Sequence, residues 1–288
     1  MRMTGGKGKP IVARVRDGVH RVDYLSNLLE YGRTQCPSPH MERAYDVPAL
    51  RRASDILDAL AAAAKPVRAA SLAEQTGLSR STLYLMLETL ARMQWIEKHD
   101  DGYMIGVRLF ELGNAYVRHD KLQAAFREGA GAFINKHNEV VQLAVLDGVE
   151  VVYIAREDAH RPVRLVSDLG SRLPAHCCAL GKALLAGMAD EAVIGRLPER
   201  LEAVTPRTIT RRAALLRELA SIRKSGLAVE REEVAEGLAC FAAYVGTTPA
   251  GKRVAVSTSV PLGRLDAKRE KQISIGIVQL AAHLRGAL

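Results

Sequence analysis

The chain has 288 residues, 48% of them hydrophobic and 25% charged, an ordinary soluble composition whose length suggests two domains. No run approaches the roughly 18 consecutive apolar residues of a membrane span, and no apolar stretch follows the basic N-terminus as it would in a secretory signal. Four cysteines (Cys36, Cys177, Cys178 and Cys240) with no Cys-x-x-Cys pair speak against a disulfide framework and for a reducing compartment, the cytoplasm.

A net charge of +9 fits a polyanionic partner such as nucleic acid. Residues 47–106, however, hold seven Lys/Arg against seven Asp/Glu, so charge does not locate a binding site and a motif must. Residues 1–46, Gly/Lys-rich at the start and with two prolines near Cys36, read as a basic disordered tail. Met41 offers a second translation start.

From Val47 the pattern changes. Leu50, Ala53, Ile56, Leu57 and Leu60 recur at helical spacing, and Pro66 helps to end that helix. Ser71-Leu72-Ala73-Glu74 fits a capping box that opens a short second helix stopping near Gly77. Ser79 opens a third, running to about Met93, with Leu83, Met86, Leu87 and Leu90 inside. Two short strands then flank Asp100-Asp101-Gly102 as a hairpin.

Ala73, Gly77 and Leu83 have the spacing of a helix-turn-helix. The first must be small where two helices cross, the second must tolerate a left-handed turn, and the third packs into the angle between them. With the hairpin as a wing, residues 47–106 read as a winged helix-turn-helix for double-stranded DNA. Its second helix enters the major groove and reads bases with its N-terminal part. The outward candidates are Ser79, Arg80, Ser81, Thr82 and Tyr84, with Arg80 suited to a guanine edge and Ser81 and Thr82 to phosphate. Lys98 and His99 near the wing tip are candidates for backbone phosphate.

Beyond the wing, residues 107–119 and 122–137 read as helices. Strands follow at 140–146 and 149–155 around Asp147-Gly148, and at 162–166. Helices are predicted at 178–188, 190–197 and 210–225, with Gly226 as the stop of the last. Strands at 227–230, 240–245 and 253–260 and a helix at 264–284 complete an α+β domain.

The motifs Ile56-Leu57-Asp58-Ala59-Leu60, Leu72-Ala73-Glu74, Gly77-Leu78-Ser79, Ser81-Thr82 and Gly102-Tyr103-x-x-Gly106 resemble the isocitrate lyase regulator (IclR) family of bacterial transcription factors. So do Pro174-Ala175-His176 with Ala179 to Ala186, Gly226-x-Ala228-x-x-Arg231-Glu232-Glu233, and Gly237-Leu238-Ala239-Cys240-x-Ala242-Ala243. The resemblance covers about Val47 to Leu262. One departure is Leu85, where the family usually carries Arg, so operator preference does not transfer.

The resemblance implies a linker helix over 107–121, a GAF-like effector domain over 122–288, and a homodimer or homotetramer on a pseudo-palindromic operator. It also implies a small carboxylate or aromatic-acid effector held by Ala179, Leu180, Glu230, Cys240, Ser257 and Ser259, with Glu230 in place of the family's usual Asp. Ser257 and Ser259 alternate along one strand, so their hydroxyls share a face.

His176-Cys177-Cys178 invites a metal or nucleophile reading, but adjacent cysteines converge poorly on one ion and a fourth ligand is missing. Gly181-Lys182 resembles the end of a phosphate-binding loop without its preceding Gly or following Ser/Thr. No cofactor is expected, and no acid-base pair supports an enzyme. A protein-interaction module is the other class to separate from a regulator, by gel shift on DNA.

Overall fold

A computed structural model describes residues 47–117, 121–160 and 167–288. The tail over 1–46 and the strand expected at 162–166 lie outside the described residues. The first helices are α1 (Pro48–Ala61), α2 (Ala69–Thr76) and α3 (Arg80–Arg92), followed by strands β1 (Ile96–His99) and β2 (Gly102–Ile105). Ile56 and Leu60 of α1, Leu72 of α2, Leu83, Leu87 and Leu90 of α3, and Ile96 and Tyr103 of the hairpin bury one shared core. At about 25 cal/mol per Å² of apolar surface removed from water, that core is what holds three short helices together.

The helix-turn-helix spacing has the expected geometry. Gly77 caps α2 in the left-handed region at φ 67° and donates its N–H to the Ala73 carbonyl at 2.9 Å. Ser79 caps α3, its hydroxyl accepting the Thr82 N–H.

The capping box at Ser71 does not form. Val67 and Tyr103 exchange two backbone hydrogen bonds of 2.9 Å, which hold the chain extended just ahead of α2. Arg68 therefore takes the cap position without a side-chain cap, and Ser71 lies inside the first turn. The wing thus carries a third, one-residue strand, so α2 starts earlier than the local pattern predicts.

Helix α4 (Val107–Val117) leaves the wing. The C-terminal part contains α5 (Lys121–His137), β3 (Val141–Asp147), β4 (Glu150–Glu157), β5 (Arg172–Pro174), α6 (Ala179–Ala186), α7 (Asp190–Ile194), α8 (Arg212–Ser225), β6 (Ala228–Arg231), β7 (Leu238–Thr247), β8 (Arg253–Pro261) and α9 (Ala267–Arg285). The strands form one antiparallel sheet in the order β5-β4-β3-β8-β7-β6. Alternation sorts its faces. Val141, Leu143, Phe241, Val256 and Val260 pack with Phe126 and Phe133 of α5 and Ile273, Ile277 and Leu284 of α9. The other face carries Gln142, Cys240, Ser257 and Ser259 together with α6, every residue of which is buried. Among the described residues no helix is long and apolar enough to cross a membrane.

Two glycines are required for different reasons. Gly77 needs its positive φ, and a Cβ there meets nothing within 4 Å. A Cβ on Gly181 would collide with the backbone of Ala175, which has nowhere to move beneath α6. Gly77→Ala is expected to cost about 1–2 kcal/mol, the left-handed penalty. Gly181→Ala is expected to cost about 3 kcal/mol, the upper end for overpacking. Urea unfolding of both variants checks the order, and equal losses would refute it.

Candidate functional site

Two constellations carry chemistry. The first is the outward surface of α3 and the wing. Ser79, Arg80, Ser81 and Tyr84 are exposed, as are Lys98 and His99, so the chain offers these six sequence-predicted side chains to solvent. Thr82 is half-buried, and its hydroxyl accepts a 2.9 Å hydrogen bond from Ser79, so part of its capacity is spent on the helix start. His99 lies 3.8 Å from the Glu97 carboxylate, whose other oxygen accepts the Val107 N–H at 3.1 Å. The Ser81 hydroxyl lies 3.2 Å from that of Ser79, Arg80 and Lys98 are exposed, and His99 has an acidic neighbour.

The second is a cavity of about 30 Å³ between the polar face of the sheet and the start of α6. It brings together all six predicted effector residues: Ala179, Leu180, Glu230, Cys240, Ser257 and Ser259. Ser257 and Ser259 are buried on the same strand face, and Ser259 Oγ lies 3.2 Å from Cys240 Sγ. Residues 179 and 180 open α6, whose first-turn amides have no intrahelical acceptors and whose dipole favours negative charge.

Glu230 is the acid of the cavity, with 1% of its surface exposed. Oε2 accepts the Glu233 N–H at 2.9 Å, while Oε1 has no hydrogen bond of ordinary geometry despite the Cys240 thiol beside it. Burial pushes this carboxyl up to about 7, held back by the Cys240 thiol and the Glu233 amide and raised further by the Glu233 charge. The Cys240 thiol is itself pushed up, first by burial and then by Glu230.

Several lining residues escape sequence reasoning. Gln142 donates to the Ser167 carbonyl at 3.0 Å and hydroxyl at 2.8 Å, and Tyr153 and Cys178 complete the wall. The signal for Gln142 was its parity on β3, opposite to the core-facing Val141 and Leu143.

Lys182 was also missed. It is fully buried, with Nζ 2.7 Å from Glu218 Oε1 and 2.5 Å from Glu233 Oε1. Burial works to lower its pKa, but the two carboxylates outweigh it and the pKa is raised. The phosphate-loop look of Gly181-Lys182 is therefore an internal ion cluster. His176 Nε2 is 2.8 Å from the Glu202 carbonyl, and Cys177 donates to the Pro174 carbonyl at 3.2 Å, so both have structural partners.

Comparison with known proteins decides what these two constellations belong to. The model of the IclR helix-turn-helix domain matches residues 49–100, and that of the bacterial transcriptional regulator IclR C-terminal domain matches residues 114–284. The chain belongs to the IclR family of bacterial transcriptional regulators. It is 30% identical to the HTH-type transcriptional regulator XynR of Escherichia coli over 76% of this chain and 88% of that protein. It is 33% identical to the HTH-type transcriptional regulator Rv1719 of Mycobacterium tuberculosis over 77% of this chain and 85% of that one. The solved Thermotoga maritima IclR superposes with a TM-score of 0.67 at 26% identity, covering 83% of this chain and 98% of that one. This IclR-family chain is a transcriptional regulator with a C-terminal effector domain, and not an enzyme.

Burial of Glu230 in the cavity is expected to make folding pH-dependent. An ordinary Glu titrates at 4.5, and Glu230 at about 7. Below 4.5 the proton is held in both folded and unfolded states, so burial carries no ionisation cost there. From 4.5 to about 7 the unfolded chain releases the proton while the fold retains it, so stability falls as pH rises and levels off above 7. Glu230→Gln keeps the acceptor for the Glu233 N–H and removes this slope. Its urea midpoint is expected to match the parent's at acid pH and exceed it at pH about 8. A variant that follows the parent across the range would refute the assignment.

Proposed function

We propose that this regulator reads a pseudo-palindromic operator with α3, as a homodimer or homotetramer, and that a small carboxylate in the cavity sets its DNA affinity. The observation that carries the reading is the start of α3, where a capped helix projects Arg80 and Ser81 into solvent from a rigid three-helix core. Helix-turn-helix proteins use that part of the second helix for base edges, and an Arg fork matches the acceptors of guanine. Lys98 and His99 on the wing and Ser79, Thr82 and Tyr84 on α3 fall to phosphate contact and positioning.

Self-association is supported by α4, which has Val107, Phe110 and Leu112 exposed and none of its described residues buried. Two helix-turn-helix units read two half-sites only when a partner chain supplies the second.

A carboxylate is supported by the chemistry of the cavity. It has two buried hydroxyls at Ser257 and Ser259, the α6 amides at Ala179 and Leu180, and Glu230, a carboxyl that holds a proton to about neutrality and can donate it as a hydrogen bond.

Gel shift on the DNA upstream of the regulator's own gene tests the first half. Arg80→Ala is expected to weaken binding by about 1–3 kcal/mol and relax base preference at one position per half-site. The mass of the complex should give two or four chains per duplex. Unchanged affinity and preference would sink the assignment of Arg80.

Isothermal titration of a panel of two- to six-carbon organic acids tests the second half. Ser257→Ala/Ser259→Ala is expected to abolish binding of any acid the parent takes up, and undiminished binding would remove the pocket assignment.

A further inference from the structure

Among the described residues, Leu85 belongs to no apolar cluster. On a helix of 3.6 residues per turn, the buried Leu83, Leu87 and Leu90 define the inner line of α3. Ser81 and Leu85, one turn apart, lie on the line opposite. Leu85 is 67% exposed and joins neither the apolar cluster of the three helices nor its half-buried fringe. Its carbonyl, on the backbone, accepts the Thr89 hydroxyl at 2.9 Å. Tyr84 beside it is 56% exposed. The outward face of α3 therefore runs from Arg80 and Ser81 through Tyr84 and Leu85 to Glu88, polar at both ends and apolar in the second turn.

A major groove offers donors, acceptors and one apolar group on its base edges, the C5 methyl of thymine. An isobutyl side chain makes no hydrogen bond, so it cannot tell guanine from adenine or cytosine by their polar edges. It gains by covering that methyl, and it leaves the polar edge of any other base without a partner. We infer that Leu85 is a specificity residue of this regulator, closing on the methyl group of one thymine in each half-site while Arg80 supplies the polar contact. The inference rests on the reading that α3 enters the major groove. It adds which base the second turn selects and by which atom.

The test uses the full chain. Duplexes are selected from a random 30-base-pair library by repeated gel shift. Each thymidine of the best duplex is then replaced singly by deoxyuridine, which removes the C5 methyl and keeps every hydrogen-bonding group. At roughly 0.8 kcal/mol per buried methyl-sized group, one thymine per half-site should show about fourfold weaker binding as deoxyuridine. Leu85→Ala should bind the thymidine and deoxyuridine duplexes alike, Leu85→Met should keep the discrimination, and Leu85→Arg should shift the selected base at that position towards guanine. Leu85 is exposed, so the variants are expected to keep the fold, and equal melting temperatures verify this. Indifference of the parent to every deoxyuridine, or methyl discrimination that survives Leu85→Ala, overturns the inference while DNA binding stands. Failure of the library to enrich any duplex brings down the parent reading, and this one with it.

Discussion

The buried ammonium of Lys182 holds the effector domain's working parts in one place. It enters the protein on α6 and meets carboxylates from α8 and from the segment after β6, at 2.7 and 2.5 Å. A cation taken out of water this completely is tolerable only with charged partners, and removal of one partner leaves a charge stranded at a cost of several kcal/mol. Glu230 is three residues from Glu233 and bonded to its amide, and burial keeps its proton to about neutrality, the Glu233 charge adding to that and the Lys182 charge opposing it. The cluster that anchors α6 thus lies beside the cavity acid, whose protonation is set first by burial and only trimmed by the opposing Glu233 and Lys182 charges.

At the other end of the chain the constraint is apolar. Three helices too short to be stable alone share a core of Ile56, Leu72, Leu83, Leu87 and Leu90, and the hairpin closes it through Ile96 and Tyr103. With the inner face of α3 spent on that core, its outer face is free to serve recognition. Arg80 and Leu85 are candidates for base contact, and Ser81 for phosphate, because Leu83 and Leu87 are committed elsewhere.

Most of this fold was legible in the residues. Helical periodicity located α1 and α3, the left-handed requirement located Gly77, and Asp147-Gly148 marked a hairpin whose strands pair Asp147 with Glu150. What escaped was non-local. The capping box at Ser71 obeyed every local rule and failed because Tyr103, over thirty residues away, fixes Val67 in extended backbone. Strand β5 has only Arg172–Pro174 and carries no alternation to read; it exists because it pairs with β4. In the cavity, Ser257, Ser259 and Glu230 were found through parity and family motifs. Gln142 and Tyr153 reach it from strands whose other face had already explained their pattern. Lys182, Glu218 and Glu233 are 36 and 51 residues apart, and no sequence window contains their pairing.

The two hydrogen bonds between Val67 and Tyr103 have a mechanical consequence. They join the chain entering α2 to the strand that forms the wing, so the helix pair and the wing cannot breathe independently. Gly102 tightens the joint, since any Cβ there would strike the Val67 carbonyl at 2.5 Å. Helix and wing joined this way behave as a caliper with fixed jaws: the spacing between them is set by the protein itself.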